Sequence, residues 1–97
     1  MTRTGVSAAD DCWSCTYTLT VPAGKTSRMF HTSGGTGDAE LFVKYGAAPT
    51  ATSADCRSEG AGNYEVCNIT NIRAGTYYVR LYGFTAASSV SLTGTYQ

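Results

Sequence analysis

Apolar and polar residues alternate with a period of two in several short stretches of this chain, and nowhere is a 3.6-residue spacing sustained. Successive side chains on a strand point to opposite faces, so the pattern predicts half-buried strands and no helix. In residues 16–21, Tyr17, Leu19 and Val21 share one face and Thr16, Thr18 and Thr20 the other, and Pro22-Ala23-Gly24 closes the strand in a turn. Residues 26–32 read as a second strand of ambiguous register. Phe30 has the largest apolar area to hide, which points Arg28, Phe30 and Thr32 inward. A glycine-rich loop, 33–38, opens onto residues 40–45, where Leu41, Val43 and Tyr45 alternate with Glu40, Phe42 and Lys44. A long polar loop over 46–63 holds Pro49 and Cys56, residues 64–69 form a further strand, and Arg73-Ala74-Gly75 is a turn. The clearest strand is 76–82, with Tyr77, Val79 and Leu81 on one face and Tyr78, Arg80 and Tyr82 on the other. Val90, Leu92 and Tyr96 mark the last strand. Short strands separated by turn signals predict an all-β fold, an antiparallel β-sandwich or jelly roll.

Residues 1–97 are enough for one domain with one core. Residues 1–4 read as linker or as residues added to a natural chain, and a monomer is expected. Seven basic and seven acidic side chains cancel, so the chain has no charge with which to displace counterions from a phosphate backbone, which argues against nucleic acid. Only 14% of residues are charged, while small hydroxyl residues and tyrosines abound, a composition typical of extracellular β modules. No apolar run approaches the roughly twenty residues of a membrane span. Four cysteines point to an oxidising compartment. The N-terminus lacks the apolar stretch of a secretion signal, so the expected source is a secreted bacterial protein whose export signal lies elsewhere.

Cys12-Trp13-Ser14-Cys15 is a CxxC motif followed by a strand. A thioredoxin-like site instead places its thiolate at a helix N-terminus, and a zinc site needs ligands that His31, alone, and the distant Cys56 and Cys67 do not supply. Structural disulfides are the expected use. Three pairings exist, and Cys12–Cys15 with Cys56–Cys67 is the most economical. One histidine and no GxSxG motif make a hydrolytic centre unexpected, so the chain is not expected to be an enzyme. Asp38 and Glu40, beside the glycine loop, are candidate calcium ligands, because Ca²⁺ collects carboxylate and carbonyl oxygens. Their plainer role is a turn cap and a solvated carboxylate. Tyr78, Arg80 and Tyr82, extended by Phe42 and Lys44, form a candidate aromatic and cationic binding face.

The residues laid out above resemble the bacterial pre-peptidase C-terminal domain. The matching signature runs from Tyr17 to Gly24 and from Gly34 to Gly46, and includes Ala48-Pro49-Thr50 and Asp55-Cys56-Arg57. It continues through Gly62 to Cys67 and Ala74 to Tyr82, and ends in Val90-Ser91-Leu92-Thr93. The family usually reads Gly-Asp-Ala-Asp-Leu-Tyr where Glu40 and Phe42 stand here, and Cys12 and Cys15 lie outside its pattern. The resemblance implies a β-sandwich appended to secreted proteases or other hydrolases, with a parent catalytic domain as partner. It implies an accessory role, binding an extracellular polymer such as collagen or chitin, or else a structural role in secretion and maturation with no ligand. Related collagen-binding domains implicate exposed tyrosines, which singles out Tyr78 and Tyr82.

Overall fold

The computed structural model describes residues 2–25, 27–60, 62–69 and 73–96, and among them every regular element is a strand. In chain order these are β1 Thr2–Ala8, β2 Tyr17–Val21, β3 Arg28–Ser33, β4 Thr36–Tyr45, β5 Cys56–Ser58, β6 Glu65–Ile69 and β7 Gly75–Tyr96. All pairings are antiparallel. Among the described residues no helix is long and apolar enough to cross a membrane.

The long strand β7 organises the fold. Its first half pairs with β2 on one side and β4 on the other, and β5 extends that sheet beyond β4. Its second half pairs with β1 and β3, and β6 extends the second sheet beyond β3. The core lies between the two inner faces. Leu41, Val43, Val79 and Leu81 meet Phe30, Cys67, Val90 and Leu92, all fully buried. Before Ser89 the buried positions of β7 are Tyr77, Val79, Leu81, Gly83 and Ala87, and after it Val90, Leu92 and Gly94. This change of parity follows Ser89, which stands in the left-handed region at φ 57°. One residue out of the extended conformation moves every later side chain to the opposite face, so a single strand can serve both sheets. Gly94 makes room for the ring of Phe30, its partner on the neighbouring strand β3, because a Cβ there would meet Phe30 Cε1 at 2.5 Å.

Most expected strands form, and the register with Arg28, Phe30 and Thr32 inward is the observed one. Thr26, assigned to that strand from the sequence, lies outside the described residues, as does Met1. Four expectations need correction. Residues 2–4 are not linker but the start of β1, with Thr2 opposite Thr93 and Arg3 opposite Leu92. The glycine loop is mostly strand, since β4 already begins at Thr36. The polar loop contains β5, and the two C-terminal strands are one. Tyr96, at the end of β7, is exposed, with the Lys25 ammonium 5.3 Å from its ring centroid.

Polar side chains tie the loops to this frame. Asn63 accepts a hydrogen bond from the Ala39 amide at 2.8 Å and donates to the carbonyls of Gly34 and Thr36, which fixes the glycine-rich turn. Buried Glu65 accepts from the Ser58 hydroxyl at 2.7 Å and the Gly60 amide at 2.8 Å. Cys56 and Cys67 are bonded, with Cα atoms 6.0 Å apart, and so join β5 to β6.

Candidate functional site

The outer face of the β2-β7-β4-β5 sheet carries the candidate site. Antiparallel register sets Glu40 opposite Tyr82, Phe42 opposite Arg80 and Lys44 opposite Tyr78, and places Arg57 opposite Phe42 on the other side. The five residues expected to form a binding face therefore do lie on one face.

The segment between β1 and β2 reshapes that face. Cys12 accepts a hydrogen bond from the Gly83 amide at 2.9 Å, Ser14 donates its amide to the Leu81 carbonyl at 2.8 Å, and Trp13 bridges to Tyr82. The Trp13 ring meets both Phe42 and Tyr82 edge-on, each with centroids 5.0 Å apart. Arg80 stacks its guanidinium 4.0 Å from the Trp13 ring and donates Nε to the Pro49 carbonyl at 2.8 Å. Phe42 is thereby covered, with 3% of its surface exposed, and is a floor rather than the exposed aromatic the alternation suggested. Tyr82 donates its hydroxyl to Asp11, which anchors the same segment from below.

What results is a cleft of about 330 Å³. Phe42, Trp13 and Tyr82 line its apolar part, and Arg57, Arg80, Glu40 and Glu59 its polar part, beside Thr50 and Ala51. Arg57 pairs with Glu59 at 3.0 Å and donates Nη1 to the Ala51 carbonyl at 3.1 Å. The Glu40 carboxyl is pushed above the usual range, first by burial and then by the neighbouring charges of Glu59 and Asp38, with a hydrogen bond to Glu59 and the charge of Glu65 adding to the shift. Lys44 and Tyr78 share the face but not the cleft, and Lys44 donates to the Ser53 hydroxyl. Phe84, two positions beyond Tyr82 on β7, is 65% exposed and continues the aromatic row.

Trp13, Arg57, Glu59 and Phe84 were not picked out by sequence alternation. The chain's single tryptophan, set in a polar stretch, was the available signal for the first of them.

Cys12 and Cys15 are free, exposed thiols, so the second expected disulfide is not formed. Three residues along an extended backbone cover about 10 Å, whereas a disulfide needs Cα atoms within roughly 7 Å. The hydrogen bonds to Gly83 and Leu81 hold this stretch extended. Asp38 and Glu40 act on each other electrostatically, and Asp38 Oδ1 is buried without a hydrogen-bond partner. Among the described residues, however, no three His, Cys, Asp or Glu side chains stand where they could share a metal ion, so the expected calcium finds no preformed cage. His31 sits half-buried in β3, opposite Val66 and Thr93, away from the cleft.

The "Neutral protease" of Vibrio proteolyticus is 43% identical over 77 residues, which cover 79% of this chain and 13% of that protein. The "Extracellular protease" of Xanthomonas campestris pv. campestris is 46% identical over 93 residues, covering 96% of this chain and 16% of that protein. The chain thus spans well under a fifth of the length of these two relatives. The crystal structure of the pre-peptidase C-terminal domain of a Bacillus anthracis collagenase shares the fold, with a TM-score of 0.73 over 98% of this chain and 88% of that one, at 15% identity. The family model described as the bacterial pre-peptidase C-terminal domain matches residues 14–83, and the chain belongs to that family.

Proposed function

We propose that this domain is the accessory module of a secreted bacterial protease and holds its parent enzyme on an extracellular polymer through the Trp13–Phe42–Tyr82 cleft. The domain is not itself an enzyme. It belongs to a family of small C-terminal domains and corresponds to a minor share of each related protease. The observation that carries the binding role is the assembly of three rings and two guanidinium groups on an outer sheet face, with a half-exposed tryptophan delivered by a separate segment. Large exposed aromatic surface flanked by cations is the chemistry of recognition sites, where rings supply contact area and cations fix orientation.

Retention of the 97-residue chain on insoluble collagen, chitin and cellulose tests the proposal. Wild-type protein should sediment with at least one of them, and Trp13→Ala should weaken that retention. Failure to sediment with any would favour the alternative, a domain that assists secretion or maturation and has no ligand.

A further inference from the structure

We propose that the cleft takes a neutral sugar ring, so that the polymer is a polysaccharide and not a protein fibre. This rests on the polymer-binding function above and narrows it.

Charge is the first argument. The titratable groups lining the cleft are Arg57 and Arg80 against Glu40 and Glu59, and their formal charges cancel. A site built for an acidic or basic ligand would show one sign of charge, because an ionic partner needs a compensating field. A neutral ligand needs none.

Hydrogen bonding is the second. Each guanidinium carries five N–H donors. Arg80 directs Nε and Nη2 to the Pro49 carbonyl, while Arg57 directs Nη1 to Ala51 and Nε to Glu59, so donors remain on both. Carboxyl oxygens of Glu40 and Glu59 border the same space. Donors and acceptors therefore stand side by side within one cleft. Sugar hydroxyls both donate and accept, and adjacent hydroxyls of a ring match such a mixed wall.

Shape is the third. A volume of about 330 Å³ lies at the small end of ligand pockets and suits about one or two sugar rings. Its apolar part is made by the partly exposed rings of Trp13 and Tyr82 over the buried floor of Phe42, and these two rings receive the C–H surface of a pyranose. A rod-like protein fibre would need an open trough. Here the Trp13 segment closes one side and the Thr50–Ala51 loop lines another.

The test is depletion of the 97-residue chain onto chitin, cellulose and collagen fibrils, with soluble N-acetylglucosamine and glucose oligomers as competitors. The variants are Trp13→Ala and Arg57→Gln, with Tyr64→Ala, whose ring is 71% exposed and does not line the cleft, as control. The expected result is retention on chitin or cellulose, release by the matching oligomer, a loss of about tenfold or more in both cleft variants, and no change in Tyr64→Ala. Arg57→Gln keeps the test valid if Trp13→Ala fails to fold. Retention on collagen alone, lost in the cleft variants, would overturn the sugar assignment while leaving polymer binding intact. Polysaccharide retention that both cleft variants preserve would overturn the cleft as its site. Absence of retention on all three would overturn both readings.

Discussion

Arg28 on β3 stacks its guanidinium 4.1 Å from the ring centroid of Tyr77 on β7, and Phe30 covers it at 3.6 Å. The side chain is 1% exposed, and Nε, Nη1 and Nη2 all lack hydrogen-bond partners. Ring faces return part of the lost hydration through cation–π attraction, but not the hydrogen bonds. Burial accordingly pulls the Arg28 pKa from its ordinary value down to about 10, with the Tyr77 side chain opposing the shift.

The sign of that shift gives a prediction. A base with a lowered folded pKa binds its proton less well than in the unfolded chain. Its charge therefore costs stability at every pH below about 10, and the cost fades as pH rises from there towards the ordinary arginine pKa. Arg28→Met keeps the length and removes the charge, so it should match or exceed the wild type in urea denaturation at pH 7. Arg28→Ala should lose about 2–5 kcal/mol, because it empties the space between the rings. A clear loss in Arg28→Met would show that the guanidinium stabilises the core.

The thiols give the second prediction. Native protein should react with two equivalents of a thiol reagent, at Cys12 and Cys15, and non-reducing peptide maps should link Cys56 only to Cys67. Replacing both Cys56 and Cys67 with alanine should cost about 3 kcal/mol, since the bridge closes a loop with a sequence separation of 11. A Cys12–Cys15 crosslink in freshly folded protein would contradict the extended path of this segment.

Glu40 gives the third. Its folded pKa is raised, so the folded state holds a proton that the unfolded chain releases near pH 4.5. Stability should therefore fall as pH rises from about that value through the folded pKa, and the penalty should be fully present above it. Glu40→Gln removes the penalty and should raise the melting temperature at neutral pH while flattening the slope across that window. Burial sets the shift first, and the charges of Glu59, Asp38 and Glu65 and a hydrogen bond to Glu59 add to it. An equal slope in wild type and variant would place the charge repulsion elsewhere.

Alternation, with the size of Phe30 deciding the register of β3, found inward residues of several half-buried strands because burial there is a property of one segment. Tyr77, Val79 and Leu81 were legible for that reason, and so was the inward set Arg28, Phe30 and Thr32. Partnerships between distant segments were not legible. Residues 2–5 read Thr-Arg-Thr-Gly, with nothing to hide, and become strand only because β7 offers an unpaired edge. The parity change at Ser89 depends on one backbone angle that no side-chain pattern announces. The cleft depends on Trp13 reaching across β7 to Phe42, a contact between residues far apart in sequence.

That contact separates two residues that alternation treats alike, and it yields the last prediction. Phe42 and Tyr78 both occupy outward positions in their strands, but Phe42 is 3% exposed under Trp13 whereas Tyr78 is half-exposed opposite Lys44. Phe42→Ala should behave as a core truncation and cost about 3–5 kcal/mol, comparable to the roughly 2–5 kcal/mol of Leu81→Ala on the inner face. Tyr78→Ala should cost under about 1 kcal/mol, as surface substitutions usually do. Tyr82→Ala should fall between them, because Tyr82 packs on Trp13 and donates to Asp11 while keeping part of its surface in solvent. Guanidinium chloride denaturation of the four variants gives the ranking. If Trp13→Ala rescues the stability difference, so that Phe42→Ala then costs no more than Tyr78→Ala, the tryptophan is what turns an outward residue into a buried one. If Phe42→Ala costs nothing even in the wild-type background, the floor of the cleft is solvent-accessible and Trp13 does not lie over it in solution.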